Sequence, residues 1–285
     1  FKYILEKLNE NNYHVQTFTL SPHNYGIPQQ RERVFFICIR KDIYDKNKEE
    51  IKLKYKENKK IILKNFLEKN PDKKYKISGD ILKILNTWNK MIKKFEENEK
   101  ISPTILIVEY YKNHDFNSSK FKNLAKWRQN CITKNQPLYD KYKKYFDKWY
   151  NKDKEIITKN KIFSKLEWQV GEIKKNDSIF KYFIQIRPSG IRVKKSKYFP
   201  TLVAISQIPI YGKEKRYITP RECLNIQSFP STFKMSPNDK ITYKQAGNSI
   251  NVMNATNIIE STLNHYGYKL KKTKRKTKKI IVNTI

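Results

Sequence analysis

The stretch "YGIPQQRERVFFICIR" (residues 25–40) decides how the first part of this 285-residue chain folds. Tyr25-Gly26-Ile27-Pro28 has turn chemistry, because glycine admits positive φ and proline presets φ near −65°. "RVFFICI" (33–39) is a continuous apolar run of strand length, expected to form a strand covered on both faces. Arg31 and Arg33 stand two residues apart at its mouth, which in an extended segment puts them on the same face. Arginine is always charged and carries a planar fork of donors, suited to a phosphate or a base carbonyl. Gln29, Arg31 and Arg33 thus read as the polar wall of a site. A strand-end salt bridge to Glu32 accounts for the two arginines equally well, and both readings stay open.

Around this stretch the pattern is layered. Residues 1–10 read as an amphipathic helix with Phe1, Ile4, Leu5 and Leu8 on one face, stopped by Asn11-Asn12. "YHVQTFTL" (13–20) is β-prone. Helix, strand, loop and buried strand is the texture of an α/β domain. The first residue is Phe1 rather than Met and the helix is already in mid-pattern, so the chain is expected to be entered partway.

The charge stands out: 61 Lys and Arg against 27 Asp and Glu, a formal +34. Such an excess repels itself without an anionic partner, and nucleic acid is the commonest one. AT-rich coding, of a microbial or viral kind, explains part of the lysine content but not arginines in patterned contexts. No apolar run reaches the roughly 18–20 residues that span a bilayer, and no signal peptide is visible. No membrane partner is expected. The expectation is a soluble chain, cytoplasmic in a prokaryotic or viral host setting and nuclear in a eukaryotic one. Cys38, Cys131 and Cys223 are far apart with no CxxC pair, so neither a metal site nor a disulfide framework is indicated.

From residue 41 to 160 the sequence is rich in Lys and Asn and punctuated by aromatics. "DILKILNTWNKMIKKF" has helical periodicity in Ile81, Leu82, Ile84, Leu85, Trp88, Met91, Ile92 and Phe95. Trp88, Trp127, Trp149 and Trp168 among lysines could be a stacking surface for bases; the core of a second domain is the favoured reading. The runs Tyr182–Ile186 and Thr201–Ile205, broken by Pro-Ser-Gly and Tyr-Gly turns, indicate a small twisted sheet. "RPSGIRVK" (187–194) sets Arg187, Arg192 and Lys194 around a turn containing Ser189. That suits phosphate contact or base reading, and an ordinary solvated hairpin remains as plausible. "YITPRECLNIQSFP" (217–230) has a helix start: Thr219 as N-cap, Pro220 at the first position and Glu222 closing a capping box, with Arg221 between. Gly247-Asn248-Ser249 is read as the start of a helix with Val252, Ala255, Ile259, Leu263 and Tyr266 inward; cap or small-ligand site are the alternatives. The tail from 269 is strongly basic and expected to be a disordered arm.

In that order, "YGIPQQRERVFFICIR", a variable stretch, "RPSGIRVKKSKYFPTLVAI…RYITPRECLNIQSFP" and "YKQAGNSINV" closely resemble the carboxyl-terminal half of DNA (cytosine-5) methyltransferases. They look like motifs VIII, IX and X flanking the target-recognition domain. The resemblance implies an α/β chain: the C-terminal part of a Rossmann-like S-adenosylmethionine-dependent catalytic domain plus a small mixed α+β recognition domain. It implies a division into 1–40 (end of the catalytic domain), 41–235 (recognition domain with motif IX), 236–268 (motif X and a helix returning to the catalytic domain) and 269–285 (basic tail). By the same resemblance Arg33 matches the arginine reaching O2 of a flipped cytosine, Arg31 supports it, and Gln29 completes the pattern. Asn248, Ser249 and Ile250 match residues beside S-adenosylmethionine, in a pocket only partly present. Arg187, Ser189, Arg192 and Lys194 are candidates for contact with double-stranded DNA, and Thr219, Pro220, Arg221 and Glu222 match the helix that organises the recognition domain.

The family's nucleophile is a thiolate in a Pro-Cys-Gln loop, and no cysteine here follows a proline. The family's Glu-Asn-Val segment and glycine-rich cofactor loop are also missing. A nucleophile-bearing amino-terminal part or subunit is therefore an expected partner, with a restriction-modification setting. A non-catalytic, sequence-specific DNA-binding remnant is the alternative.

Overall fold

The computed structural model describes residues 1–54, 61–101, 104–107, 115–202 and 207–268. The chain is mixed α/β and divides into two compact units, one of 1–67, 224–235 and 248–285 and the other of 68–223 and 236–247. The sequence-based division had placed boundaries at 40, 235 and 268. The basic tail and most of the Thr201–Ile205 run lie outside the described residues.

In the first unit, α1 (Lys2–Glu10) leads through Asn12, at φ 62°, into β1 (Tyr13–Leu20). β1 pairs antiparallel with β2 (Arg33–Arg40), from Tyr13↔Arg40 to Leu20↔Arg33. A short helix α2 (Lys41–Tyr44) follows directly. The β1–β2 connection is a 3-10 turn, Pro22–Tyr25, closed by Gly26 at φ 79°, a left-handed position that favours glycine. Ser21 and Asn24 cap each other, and the Ser21 hydroxyl accepts the Arg31 backbone N–H at 2.9 Å. The loop is thereby folded back to deliver Arg31 beside the start of β2.

Two expectations fail in this unit. β2 is not covered on both faces: Ile37 is its one buried residue and Val34 is 47% exposed. The sheet has two strands among the described residues, and α1 packs along it with the Phe1 ring 5.4 Å from that of Phe36. The expected inward face of the last helix, α8 (Val252–His265), is only partly covered: Val252, Ala255, Leu263 and Tyr266 are half-buried. Asn254 is its buried residue, whereas Ile259 is 44% exposed. α1 is amphipathic yet buries none of its side chains.

The second unit has a core of its own. Its sheet has six strands in the order β3-β4-β6-β5-β7-β8, namely β3 (Thr104–Leu106), β4 (Lys165–Gln169), β5 (Phe183–Arg187), β6 (Gly190–Lys194), β7 (Ile210–Tyr211) and β8 (Arg216–Tyr217). β4 and β6 run parallel and the other pairs antiparallel. One face carries Leu166, Ile184, Ile191 and Val193 and packs on α3 (Gly79–Ile92) and α5 (Lys126–Lys159), with the short α4 (Ser119–Lys122) between them in sequence. α5 departs from helical geometry at Tyr142 and Asp153, and contains Pro137.

Trp88, Trp149 and Trp168 are buried, so they are core rather than a base-stacking platform; Trp127 alone is exposed. Trp88 sits against Trp149 and Phe163 with ring centroids 5.4 and 5.8 Å away. Trp149 also donates its indole N–H to the Thr87 carbonyl at 2.7 Å, a buried bond between α5 and α3. Trp149→Phe keeps most of the apolar volume but leaves that carbonyl without this donor. It is expected to lower unfolding stability by about 1–3 kcal/mol, read from the urea midpoint.

The unit ends with α6 (Pro220–Ile226), in which the division between units falls, and α7 (Asp239–Asn248). Gly247 and Asn248 therefore close α7 instead of opening the next helix. The N-cap of α8 is Asn251, whose side-chain oxygen accepts the N–H groups of Met253 and Asn254 at 3.1 and 3.3 Å. Among the described residues no helix is long and apolar enough to cross a membrane.

Candidate nucleic-acid and active-site surfaces

At the mouth of β2, Gln29 is fully buried, and neither atom of its amide has a hydrogen-bond partner. Two orphaned amide atoms in a buried side chain are costly, and such groups call for an explanation. Arg31 lies before the strand rather than on it, half-buried, and Arg33 opens the strand, exposed. Burial, and after it the charge of Arg33, lower the Arg31 pKa. Arg33 Nη1 donates to the backbone carbonyl of Glu32 at 2.6 Å, so that bond does not use the Glu32 carboxylate. The mouth of β2 thus holds two cations that repel one another.

Asn248 is exposed at the end of α7, and on the segment that follows Ser249 is half-buried and Ile250 exposed. A cleft of about 580 Å³ in this unit runs along α8 past Met253, Asn257 and Ser261 and does not include Asn248, Ser249 or Ile250. They offer a polar edge beside an apolar side chain that is 60% exposed.

In the second unit Glu222 is fully buried at the start of α6. Its carboxylate accepts Arg216 Nη1 and Nη2, both at 2.8 Å, the Thr219 N–H at 2.8 Å and the Glu68 N–H at 2.9 Å. The Thr219 hydroxyl accepts the Glu222 N–H at 3.1 Å and donates to Glu68 Oε2 at 2.5 Å. The capping box is therefore one part of a network that ties β8, α6 and the segment at residue 68 together. Burial lowers the Arg216 pKa, but hydrogen bonds to Glu222 and Glu214 outweigh it and raise the pKa overall. Pro220 is buried at the first helical position and Arg221 is half-buried.

The other face of the six-stranded sheet carries a basic cluster on β4, β5 and β6, beside the fully buried Phe183 and the buried Gln185. β5 and β6 form a hairpin over Pro188-Ser189, with Arg187 opposite Gly190, Gln185 opposite Arg192 and Phe183 opposite Lys194. Gly190 has φ 141°, and a Cβ there would run into the Lys165 carbonyl. Ser189 is exposed, and its carbonyl accepts the Ser164 hydroxyl at 2.7 Å. Arg192 also faces Glu167 of β4, to which its Nε is bonded, and Lys165 reaches the same carboxylate at 2.8 Å. Burial lowers the pKa of Arg187, with Arg192 adding to it; burial also lowers that of Lys194, with Arg192 and Arg187 adding. One buried acid thus stands among four cations.

Burial raises the Glu167 pKa, but hydrogen bonds from Lys165 and Arg192 outweigh it and hold the pKa below its ordinary 4.5. A depressed carboxyl contributes stability that is complete above the unfolded value and is lost as pH falls through the folded one. Urea midpoints are expected to drop below pH 4.5, and Glu167→Gln to remove part of that dependence.

Glu167, Lys165, Arg216, Glu68 and Asn251 were not singled out from sequence. The polar-apolar alternation of "KLEWQ" (165–169) was the available signal for the first two; the others depend on contacts remote in sequence. The thiols are unsuited to nucleophilic work. Burial raises the pKa of Cys38 and Cys131, and raises that of fully buried Cys223 well above the ordinary value, with Glu222 adding to it.

A mixed α/β chain with a cationic strand mouth and a cationic sheet face has the surface chemistry of a protein that handles a polyanion. The model of the C-5 cytosine-specific DNA methylases matches residues 1–264, and the chain belongs to that family. The type II methyltransferase M.HgiCI of Herpetosiphon aurantiacus is 25% identical over 88% of this chain and 65% of its own length. M.BanI of Aneurinibacillus aneurinilyticus is 25% identical over 91% and 65%. M.AluI of Cellulosimicrobium cellulans reaches 30% identity over 46% of this chain and 25% of its own length. The chain thus spans less than two thirds of the curated relatives it matches.

Proposed function

We propose that this chain is the carboxyl-terminal part of a DNA (cytosine-5) methyltransferase, which moves the methyl group of S-adenosylmethionine to C5 of a cytosine in double-stranded DNA. The mouth of β2 carries this reading: a sealed Gln29 amide without partners and two adjacent guanidiniums. A cytosine turned out of the duplex would present a carbonyl oxygen to Arg33, with Arg31 and Gln29 supporting that wall. Asn248, Ser249 and Ile250 supply one edge for S-adenosylmethionine, whose sulfonium is the methyl donor. The second unit is the recognition domain, with Arg187, Ser189, Arg192 and Lys194 toward DNA and the network of Thr219, Pro220, Arg221 and Glu222 holding its form.

The family's reaction needs a thiolate that adds to cytosine C6. The three thiols here are pushed away from that state, so the nucleophile comes from protein outside these 285 residues. The open apolar side chains of the first unit, Phe1, Tyr3, Ile4, Val34, Met253 and Ile259, offer the surface for that part to cover. The type II relatives favour a restriction-modification role in a prokaryotic cytoplasm. Mixing the chain with a segment bearing a Pro-Cys-Gln loop, or using the complete polypeptide that contains it, should place labelled methyl groups on C5 of cytosine. No transfer to random-sequence DNA from either preparation would defeat this reading. The basic sheet face supports a second reading, sequence-selective DNA binding without methyl transfer, whose signature is steep loss of binding with salt.

A further inference from the structure

The four cations of the basic cluster on the sheet fall into two kinds. Arg192 and Lys165 converge on Glu167, which is 8% exposed. Among the described residues Arg187 and Lys194 form no ion pair, although the charge of Glu167 reaches Arg187, and the Nε of Arg187 is buried without a hydrogen-bond partner. A carboxylate buried in a surface that approaches DNA works against affinity, because it repels phosphate. Its value lies in what it holds. Glu167 takes Arg192 by Nε alone, and among the described residues the terminal Nη1 and Nη2 make no other hydrogen bond. That pair is the end-on fork that matches O6 and N7 of guanine.

We propose that Arg192, held end-on by the positioning residue Glu167, reads a guanine in the DNA site, while Arg187 and Lys194 contact backbone phosphates. The proposal rests on the reading of the second unit as a DNA-recognition domain. Register supports it. Arg187, Arg192 and Lys194 alternate with the core residues Ile186, Ile191 and Val193, so all three project from one face. Arg192 and Lys194 are successive same-face residues of β6, about 6.6 Å apart, and Arg187 lies on the neighbouring strand opposite Gly190, so the three do not share one position. Burial and mutual repulsion depress the pKa of Arg187 and Lys194, so each gains from an incoming anion.

The test selects binding sites for the complete chain from a pool of random duplex DNA, then measures affinity for the selected duplex and its single-base variants across a salt series. The wild-type site is expected to contain a G·C pair at which Arg192→Lys, which keeps the charge and loses the fork, cuts discrimination by roughly 5- to 100-fold. Affinity for the other bases at that position and the salt slope should stay unchanged. Glu167→Gln should weaken discrimination at the same pair while raising affinity for DNA in general. Arg187→Gln and Lys194→Gln should weaken all sequences alike and reduce the salt slope by about 0.9 each. Near-UV circular dichroism establishes that each variant is folded.

A selected site without a G·C pair, or discrimination that survives Arg192→Lys, overturns the proposal and leaves the DNA reading standing. So does a uniform loss of affinity on Arg192→Lys, which makes Arg192 a phosphate contact. A uniform loss on Glu167→Gln makes Glu167 merely structural and overturns its positioning role. A wild-type chain with no sequence preference at all removes the recognition-domain reading itself.

Discussion

Replacing Arg33 with alanine in the complete enzyme, or in the reconstituted pair, is expected to cut kcat/KM for DNA methylation by about 10²- to 10³-fold, the range for losing one preorganised donor to developing charge. The fold should not be the cause. Arg33 is exposed, and its side chain bonds the adjacent backbone carbonyl of Glu32. Its backbone is held independently: β1 pairs Leu20 with Arg33, and the Ser21 hydroxyl holds the Arg31 N–H. Thermal unfolding of Arg33→Ala should therefore match the wild type within experimental scatter. Arg33→Lys should recover little activity, because a point charge on a flexible stem lacks the planar fork. The measurement is transfer of labelled methyl from S-adenosylmethionine to duplex DNA, beside DNA affinity. Activity within twofold of wild type for Arg33→Ala would remove this residue from the active-site wall.

The second large effect belongs to Glu222. Its carboxylate receives four donors in full burial, two of them from Arg216, which is 3% exposed on its side chain. Glu222→Gln removes the charge and turns a donor toward a donor, leaving the Arg216 cation buried with only the partly exposed Glu214. Breaking a buried pair from one side costs about 3–5 kcal/mol. For a unit of this size that is roughly 6–20 °C in Tm, at about 2–4 °C per kcal/mol. The double change Glu222→Leu with Arg216→Met should recover part of the loss, because no unpaired charge remains. Recovery should be incomplete, since the Thr219 and Glu68 N–H groups still lose their acceptor. A Tm shift under about 3 °C for Glu222→Gln would show that the network is not what holds α6.

Both effects concern motifs visible in the chain, yet they were legible to different depths. The turn at 25–28, β1, β2 and the capping box at 219–222 follow from local chemistry: glycine and proline dihedrals, apolar runs, and a Thr-x-x-Glu spacing that satisfies free helix N–H groups. The periodicity likewise marked Ile84, Leu85, Trp88, Met91 and Ile92 as the buried face of α3, although the helix ends at Ile92, before Phe95. Asn248 and Asn251 show where local reading failed. Either asparagine can cap a helix, and only the continuation of α7 through Asn248 assigned the role to Asn251.

By itself, the sequence determined the family and the locally coded elements, namely α1, β1, β2, α3 and the start of α6, because these depend on residue spacing along the chain; α5, α7, β3 and β4 were not read from it. Tertiary structure decided which charges are compensated. Arg192 and Glu167 are 25 residues apart in the chain, and Glu68 and Glu222 are 154 apart. It also decided that β2 and α8 are only partly covered, and that Gln29 is sealed with its amide unpartnered. Pairing, burial and exposure are properties of what packs alongside a residue. Local sequence carries propensity, whereas electrostatic balance exists only once distant segments meet.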